Sequence, residues 1–297
     1  MTWLAFALLS PLCFAIVHVL DSHCVSDVFE KPWIGLVTGA FSSLLILLPL
    51  GILGLWAGWK MPPANIAAMA LLVGILIQCS QLLYFYALRN TEAGIIAAYW
   101  NLVPVLVVTL SFLWFGEVLA PLHYAGIAIL IGASVAFCLL DSNLHARWNS
   151  LFLMAIASAM QAVLILLEYS VYQAIPFLLG FGIVTLGLIL AGMVPLLFRQ
   201  ARARLARNMP VLLPAVKLII AIELINLLAL FFSGKAVDLG IPSLVSAVET
   251  TIPGYTFLLS ILLFAVLPRF GDAKARLKLP LKLGLVSTMS IGVYLLA

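Results

Sequence analysis

The stretch "YALRNTEAGIIAAYWNLVPVLVVTLSFLWFGE" (Tyr86–Glu117) carries a long apolar run between polar ends. A helix that crosses the hydrocarbon core needs about 20 mostly apolar residues, and the run Ala93–Phe115 is long enough. Pro104 lies inside the run and deprives one helical carbonyl of its partner. The stretch therefore predicts a membrane-spanning helix that kinks where neighbouring groups or cavity water satisfy the freed carbonyl.

The rest of the 297-residue chain has the same character. Hydrophobic residues make up 65% of it and charged residues 9%, whereas a soluble domain carries about 25% charged residues. Ten apolar blocks predict ten membrane-spanning helices, and the short breaks between them leave no room for a soluble domain. The blocks are Trp3–Leu20, Trp33–Trp56, Asn65–Leu88, Ala93–Phe115, Pro121–Leu140, Ser150–Tyr172, Pro176–Phe198, Val211–Ser233, Pro242–Leu267 and Leu279–Ala297.

Lysine and arginine concentrate in the loops that follow the odd-numbered blocks, above all in Arg199–Arg207 and Arg269–Lys282. Basic loops favour the cytoplasmic side. We therefore predict that these loops face the cytoplasm and that both termini lie outside, in a multi-pass protein of the cytoplasmic (inner) membrane. The same charges could bind nucleic acid or anionic lipid, but topology accounts for them, so no nucleic-acid partner is predicted.

An internal repeat relates the two halves of the chain. The shift that places Ala98 on Ala247 also places Pro104 on Pro253, and it aligns "SFLWF" with "SILLF". Five spans per unit is an odd number, so the second unit would be inverted. The predicted fold class is all-α integral membrane, with ten transmembrane helices as two inverted five-helix repeats, residues 1–145 and 146–297, around a central cavity.

Polar side chains within the blocks follow the same period of five. They occur in blocks one, three and four, and again in blocks six, eight and nine. A polar group inside the bilayer is costly and usually faces the bundle interior, so these helices are expected to line the cavity. The candidate substrate-binding or coupling residues are Glu249, Glu223, Trp100, Asn101, Gln78, Gln81, Tyr84, Gln161, Glu168, His18, Thr250 and Asn226.

The acidic candidates suggest proton or cation chemistry. Glu249 and Glu223 lie too deep in their blocks to reach the membrane surface easily, and Glu168 lies nearer a block end. A carboxyl group in a low-dielectric environment can exchange a proton near neutral pH, or it can hold a cationic substrate. An ion pair with Lys217 is the structural alternative for Glu223, although their spacing puts them on different helix faces.

The aromatic candidates have two interpretations each. The rings of Trp100 and Tyr84 can bind cations or stack on flat substrates, but interface anchoring and packing are the commoner uses of these residues in membranes. His18 is either a satisfied interior residue or a proton relay. The four cysteines fit no metal spacing and are predicted to pack as small apolar side chains, so neither a metal nor another cofactor is predicted.

The segment Tyr86–Glu117 and the following block with Gly126 and Gly132 resemble the drug/metabolite transporter superfamily, specifically its EamA-type members. Pro104 and the pair Gly116–Glu117 match the family pattern. Pro253 matches in the second half, whereas Ala265 and Val266 replace the Gly-Glu pair there. The resemblance extends over essentially the whole chain. It implies a transporter of metabolites, amino acids or drugs that often works as an exporter.

The functional prediction is a secondary active transporter that moves an amino acid, amine or organic cation by alternating access. Its predicted partners are the substrate, membrane lipid and protons, and both a monomer and a dimer stay open. Because no GxxxxGK[ST] loop is present, the energy would come from a gradient or from exchange. The alternatives are a facilitator or exchanger without proton coupling and a membrane-embedded lipid-modifying enzyme. A channel, receptor or scaffold is less favoured, and no enzymatic activity is predicted.

Overall fold

The computed structural model describes residues 2–24, 28–89, 91, 93–141, 148–266 and 278–297. In this part the chain consists of α-helices, short connections and one 3₁₀ turn, without any strand. Arg269, Lys274 and Arg276, whose loop is predicted to face the cytoplasm, lie outside the described residues, as does the end of block nine. The helices are α1 (Thr2–His23), α2 (Pro32–Trp56), α3 (Ala64–Leu88), α4 (Ala93–Trp100), α5 (Leu102–Phe115), α6 (Pro121–Asp141), α7 (Trp148–Ala174), α8 (Phe177–Met193, continued by the 3₁₀ turn Val194–Leu197), α9 (Arg199–Leu239), α10 (Pro242–Glu249), α11 (Ile252–Val266) and α12 (Leu279–Leu296).

Eight helical segments of the described chain are long and apolar enough to cross a membrane. They correspond to predicted blocks two to eight and block ten, so the all-α, multi-pass membrane fold is confirmed. The first block contains a shorter apolar helix, Thr2–His18, and the ninth is divided between α10 and α11. The count of ten spans stays a prediction.

The eighth predicted block begins too late. Helix α9 has 41 residues and is therefore about 60 Å long, roughly twice the 30 Å thickness of the hydrocarbon core. Its first turns are rich in alanine and arginine, which lower hydropathy but favour helix. Pro210 and Pro214 lie where these basic turns meet the apolar part. The side-chain amide of Asn208 donates to the carbonyl of Val28 at 3.1 Å and fixes the basic turns to the loop after α1.

Helices from the two halves of the chain pack against each other. Helix α1 lies along α9, α3 along α7 and α8, and α6 along α12. Glycines allow the α3–α8 backbones to touch: a Cβ on Gly74 would lie 2.0 Å from the carbonyl oxygen of Val184, and one on Gly187 would lie 2.3 Å from that of Leu71. No side chain fits at either position.

Hydrogen bonds between loops identify one end of the bundle. The Arg89 guanidinium donates to the carbonyl of Glu30 at 3.0 Å, and the Lys278 ammonium donates to the carbonyl of Leu140 at 3.3 Å. Each of these residues ends or follows an odd-numbered block, and the loops after these blocks are rich in lysine and arginine. We call the end that contains Glu30, Arg89, Leu140 and Lys278 the basic end.

The other loops meet away from the basic end. The side-chain amide of Gln173 donates to the carbonyl of Asp238 at 3.0 Å. Near them the chain start packs on the end of α9, since a Cβ on Gly240 would lie 3.0 Å from the Cβ of Trp3. We call the end that contains Trp3, Gln173 and Asp238 the opposite end. This grouping agrees with the alternation predicted from the order of the blocks.

Candidate functional site

Two helix breaks lie at matching positions of the two halves. Asn101 separates α4 from α5 with φ −66° and ψ −3°, and Thr250 follows α10 with φ −65° and ψ −6°. The Asn101 amide donates to the carbonyl of Ala98 at 3.3 Å, and the Thr250 hydroxyl donates to that of Ala247 at 2.7 Å. The shift that aligns blocks four and nine superposes these pairs, so the two breaks share one local geometry.

Each break is followed by a proline that frees a backbone acceptor. Pro104 and Pro253 have no amide proton, so the carbonyls four residues earlier lose their helical partner. Those carbonyls belong to Trp100 and Glu249, which are both candidate residues. The predicted kinks are breaks between α4 and α5 and between α10 and α11, and the side chains of Asn101 and Thr250 bond to the carbonyls of Ala98 and Ala247 at these breaks.

Two glutamates from different helices come together near the opposite end. The Ser233 hydroxyl donates to Glu249 Oε1 at 2.5 Å, and the Tyr172 hydroxyl donates to Glu168 Oε1 at 3.3 Å. The Glu168 and Glu249 carboxylates lie close enough to interact electrostatically. Ser10 of α1 is fully buried, and its hydroxyl lies beside the Glu249 carboxylate, to which it can donate. We call these five residues the acidic group.

Lys235, two residues beyond Ser233, does not neutralise the acidic group. It forms an ion pair with Asp238 at 2.5 Å, and its ammonium lies 4.8 Å from the centre of the Phe177 ring. Glu168 is buried and Glu249 is half-buried, and neither is paired with a cation among the described residues, which is costly unless the two carboxylates take up a proton or a cation. The group is therefore suited chemically to hold positive charge.

Aromatic side chains form a second cluster toward the basic end. His18 Nδ1 and the Tyr84 hydroxyl lie 2.8 Å apart, and the two ring centres are 5.5 Å apart. Trp100 packs edge-to-face on Tyr84 with ring centres 5.8 Å apart, and Phe14 completes the cluster beside His18. We call Phe14, His18, Tyr84 and Trp100 the aromatic group. It brings together three of the residues predicted to line a site.

The candidate glutamines occupy interfaces between helices. The Ser80 hydroxyl of α3 donates to Gln161 Oε1 of α7 at 3.4 Å. Gln78 is buried where α3 meets α8, since a Cβ on Gly192 would lie 2.9 Å from its Nε2. Its Oε1 has no hydrogen-bond partner among the described residues. Both glutamines are thus placed between packed helices.

The remaining candidates are Glu223, Gln81 and Asn226. The Glu223 carboxylate rests against α2, where a Cβ on Gly39 would lie 2.9 Å from its Oε1. Gln81 and Asn226 are half-buried on α3 and α9. The part of these three residues in a site stays a prediction.

Sequence reasoning did not select the two serines of the acidic group. Serine is common within helices and often bonds to its own backbone, so Ser10 and Ser233 gave no signal by residue type. The repeat did contain a signal for Ser233. The shift that aligns Trp100 with Glu249 also aligns Ser233 with Tyr84, which is itself a candidate residue.

The described part of the chain contains no group of three or more His, Cys, Asp or Glu side chains that could hold a metal ion. A groove of about 560 Å³ lies on the outer face of α2, far from these groups in sequence, and shares no lining residue with them. The predicted central cavity stays a prediction. The groove is lined by Leu45, Leu48, Pro49, Ile52, Leu53 and Trp56.

The apolar helices and the buried polar groups between them define a multi-pass integral membrane protein. The sequence model of the EamA-like transporter family matches residues 1–139, a little under half of the chain, and this match confirms the predicted resemblance to that family. No curated protein matches the chain. Among 29 matching chains of solved structures, one crystal structure is similar over 98% of this chain and 96% of that chain, with a TM-score of 0.65. At 16% sequence identity, that likeness shows the fold alone.

Proposed function

We propose that this protein is a secondary active transporter that moves a small organic amine, amino acid or organic cation across the cytoplasmic membrane by alternating access. Transport is coupled to protons through Glu249 and runs in the direction of export. The observation that carries this proposal is the acidic group, in which the buried Glu168 and the half-buried Glu249 interact and neither is paired with a lysine or arginine of the described residues.

Several correspondences support an architecture of ten spans in two inverted five-helix units. The breaks at Asn101 and Thr250 share backbone angles and hydrogen bonds. The pairing of α1 with α9 is matched by that of α7 with α3, which are the corresponding helices of the other unit. Discontinuous helices between inverted units commonly bind the substrate in secondary transporters.

A facilitator or exchanger without proton coupling is the second candidate. It is favoured by the hydrogen bond between Ser233 and Glu249, because a carboxylate held by a hydroxyl can orient a cationic substrate without giving up a proton. In that case transport would follow the substrate gradient alone.

Flux measurements in proteoliposomes test the proposal. Purified protein is reconstituted with an internal pH dye, and amino acids, amines and quaternary cations are added outside. We expect one class of cations to cause a pH change that requires the protein. Labelled-substrate flux without any pH change would instead support the facilitator or exchanger, and absence of flux across the panel would contradict transport of organic cations.

The proposed orientation predicts which loops are reachable from each side. Arg204 and Lys60 are exposed on opposite sides of the predicted topology. In intact cells, a membrane-impermeant thiol reagent should label Lys60→Cys but not Arg204→Cys, and inverted vesicles should give the reverse. Wild-type protein controls for its four natural cysteines. Labelling of Arg204→Cys from outside would reverse the proposed orientation.

A further inference from the structure

The acidic and aromatic groups occupy corresponding places in the two halves of the chain. The shift that aligns blocks four and nine places Tyr84 on Ser233 and Trp100 on Glu249. Tyr84 and Trp100 are in ring contact at 5.8 Å, and Ser233 and Glu249 share a hydrogen bond at 2.5 Å. Equivalent positions are therefore in contact in both halves of the chain. The contacting residues are aromatic in the first half and are a serine and a glutamate in the second half.

In each group, a further residue comes from the first span of the same half of the chain. His18 of α1 contacts Tyr84, and Glu168 of α7 interacts with Glu249. Glu168 is one position beyond the residue that the shift aligns with His18. Apart from Ser10 of α1, which joins the acidic group from the other half, each group thus combines residues from the first, third and fourth spans of its own half.

The two groups lie toward different ends of the bundle. His18 and Tyr84 precede the ends of α1 and α3 by little more than one turn, and both helices end at the basic end. Glu168 and Ser233 precede the ends of α7 and α9 by about one and a half turns, and these helices end at the opposite end. The groups are therefore separated along the direction of transport.

Both groups suit the same chemical class of ligand. Carboxylates bind an ammonium directly, and the faces of tryptophan and tyrosine attract cations. Because Lys235 is already paired with Asp238, an anion would gain little there.

We propose that the aromatic and acidic groups are two subsites for one organic monocation, each serving one side of the membrane. The aromatic group receives the cation from the basic end, and the acidic group receives it from the opposite end. This inference rests on the proposed transport of organic cations, and it adds that the two sides recognise the same ligand by different chemistry.

Sided flux with a permanent cation tests the two subsites. Benzyltrimethylammonium is used as the probe in vesicles of uniform orientation, and benzenesulfonate serves as an anion of similar size. Trp100→Leu should raise the half-saturating probe concentration about tenfold from the basic end and leave the opposite side within twofold. Glu249→Gln should do the reverse, and benzenesulfonate should not compete in either direction.

Matched variants separate these effects from damage to the fold. Trp114→Leu and Glu30→Gln change the same residue types at exposed positions outside both groups, and they should leave both sides unchanged. Trp100→Phe keeps an aromatic face and should restore most of the binding from the basic end. Equal shifts on both sides in Trp100→Leu and Glu249→Gln would overturn the proposal in favour of one shared site.

Equilibrium binding distinguishes this proposal from the proposed function. Calorimetry of the purified protein with benzyltrimethylammonium should detect binding that Glu249→Gln weakens and Glu30→Gln does not. Binding of this kind without flux would contradict transport and leave the acidic subsite standing. Flux without any side-specific effect of the variants would contradict the two subsites and leave transport standing. Competition by benzenesulfonate would overturn the assignment of the ligand as a cation.

Discussion

Replacing Glu249 with glutamine is expected to abolish the pH dependence of transport and to lower substrate flux about 10- to 100-fold, because a charge-assisted interaction is lost. The amide has almost the same shape and can still accept the Ser233 hydrogen bond, so the fold should be retained. Glu168, which interacts with Glu249, and the neighbouring Tyr172, Lys235 and Asp238 remain in place. Initial flux rates across the neutral pH range measure the effect.

Glu223→Gln is the matched comparison for this prediction. Glu223 is also a deep glutamate, but it rests against Gly39 of α2 and not against the acidic group. We expect this variant to keep the pH dependence of wild type. Unchanged pH-dependent flux in Glu249→Gln would exclude Glu249 as the coupling residue, and loss of pH dependence only in Glu223→Gln would transfer the role to Glu223.

Gly187→Ala is expected to destabilise the protein strongly. The added Cβ would lie 2.3 Å from the carbonyl oxygen of Leu71 and 3.0 Å from its Cα, so the backbones of α3 and α8 would have to separate. Overpacking a core costs about 1–3 kcal/mol, and a backbone obstacle cannot rotate away as a side chain can. Thermal unfolding in detergent should show a clear decrease in unfolding temperature.

Gly182→Ala on the same helix is the control for this prediction. A Cβ on Gly182 would meet no atom within 4 Å, and alanine favours helix over glycine by about 1 kcal/mol. Its unfolding temperature should be equal to that of wild type or slightly higher. Equal stability of Gly187→Ala and wild type would show that α3 and α8 do not touch at this position.

Much of the fold could be predicted because the bilayer demands about 20 apolar residues per crossing. The length of α9 could not be predicted in this way, since alanine and arginine continue a helix after hydropathy has fallen. The proline pattern correctly located the disturbances in blocks four and nine. It could not tell a kink from a break, because a proline removes one backbone hydrogen bond in either case and the local backbone at Asn101 and Thr250 decides whether the helix continues.

The sequence could predict which residues belong to the candidate site, but it could not predict which of them are in contact. The cost of polar side chains in the bilayer singled out Glu168, Glu249 and His18. The division into an acidic and an aromatic group depends on which helix faces meet, and helical periodicity within one block does not contain that information. Ser233 illustrates the limit, because its importance comes only from the carboxylate that α10 places against it.

The prolines of α9 weaken this long helix locally. Pro210 and Pro214 remove two backbone hydrogen bonds, one turn apart, at the place where the basic turns meet the apolar part. Because kinks in helices occur mostly at proline, α9 is expected to bend most easily there. The Asn208 bond to Val28, next to the first of these prolines, ties the basic turns to the loop after α1 and restrains such a bend.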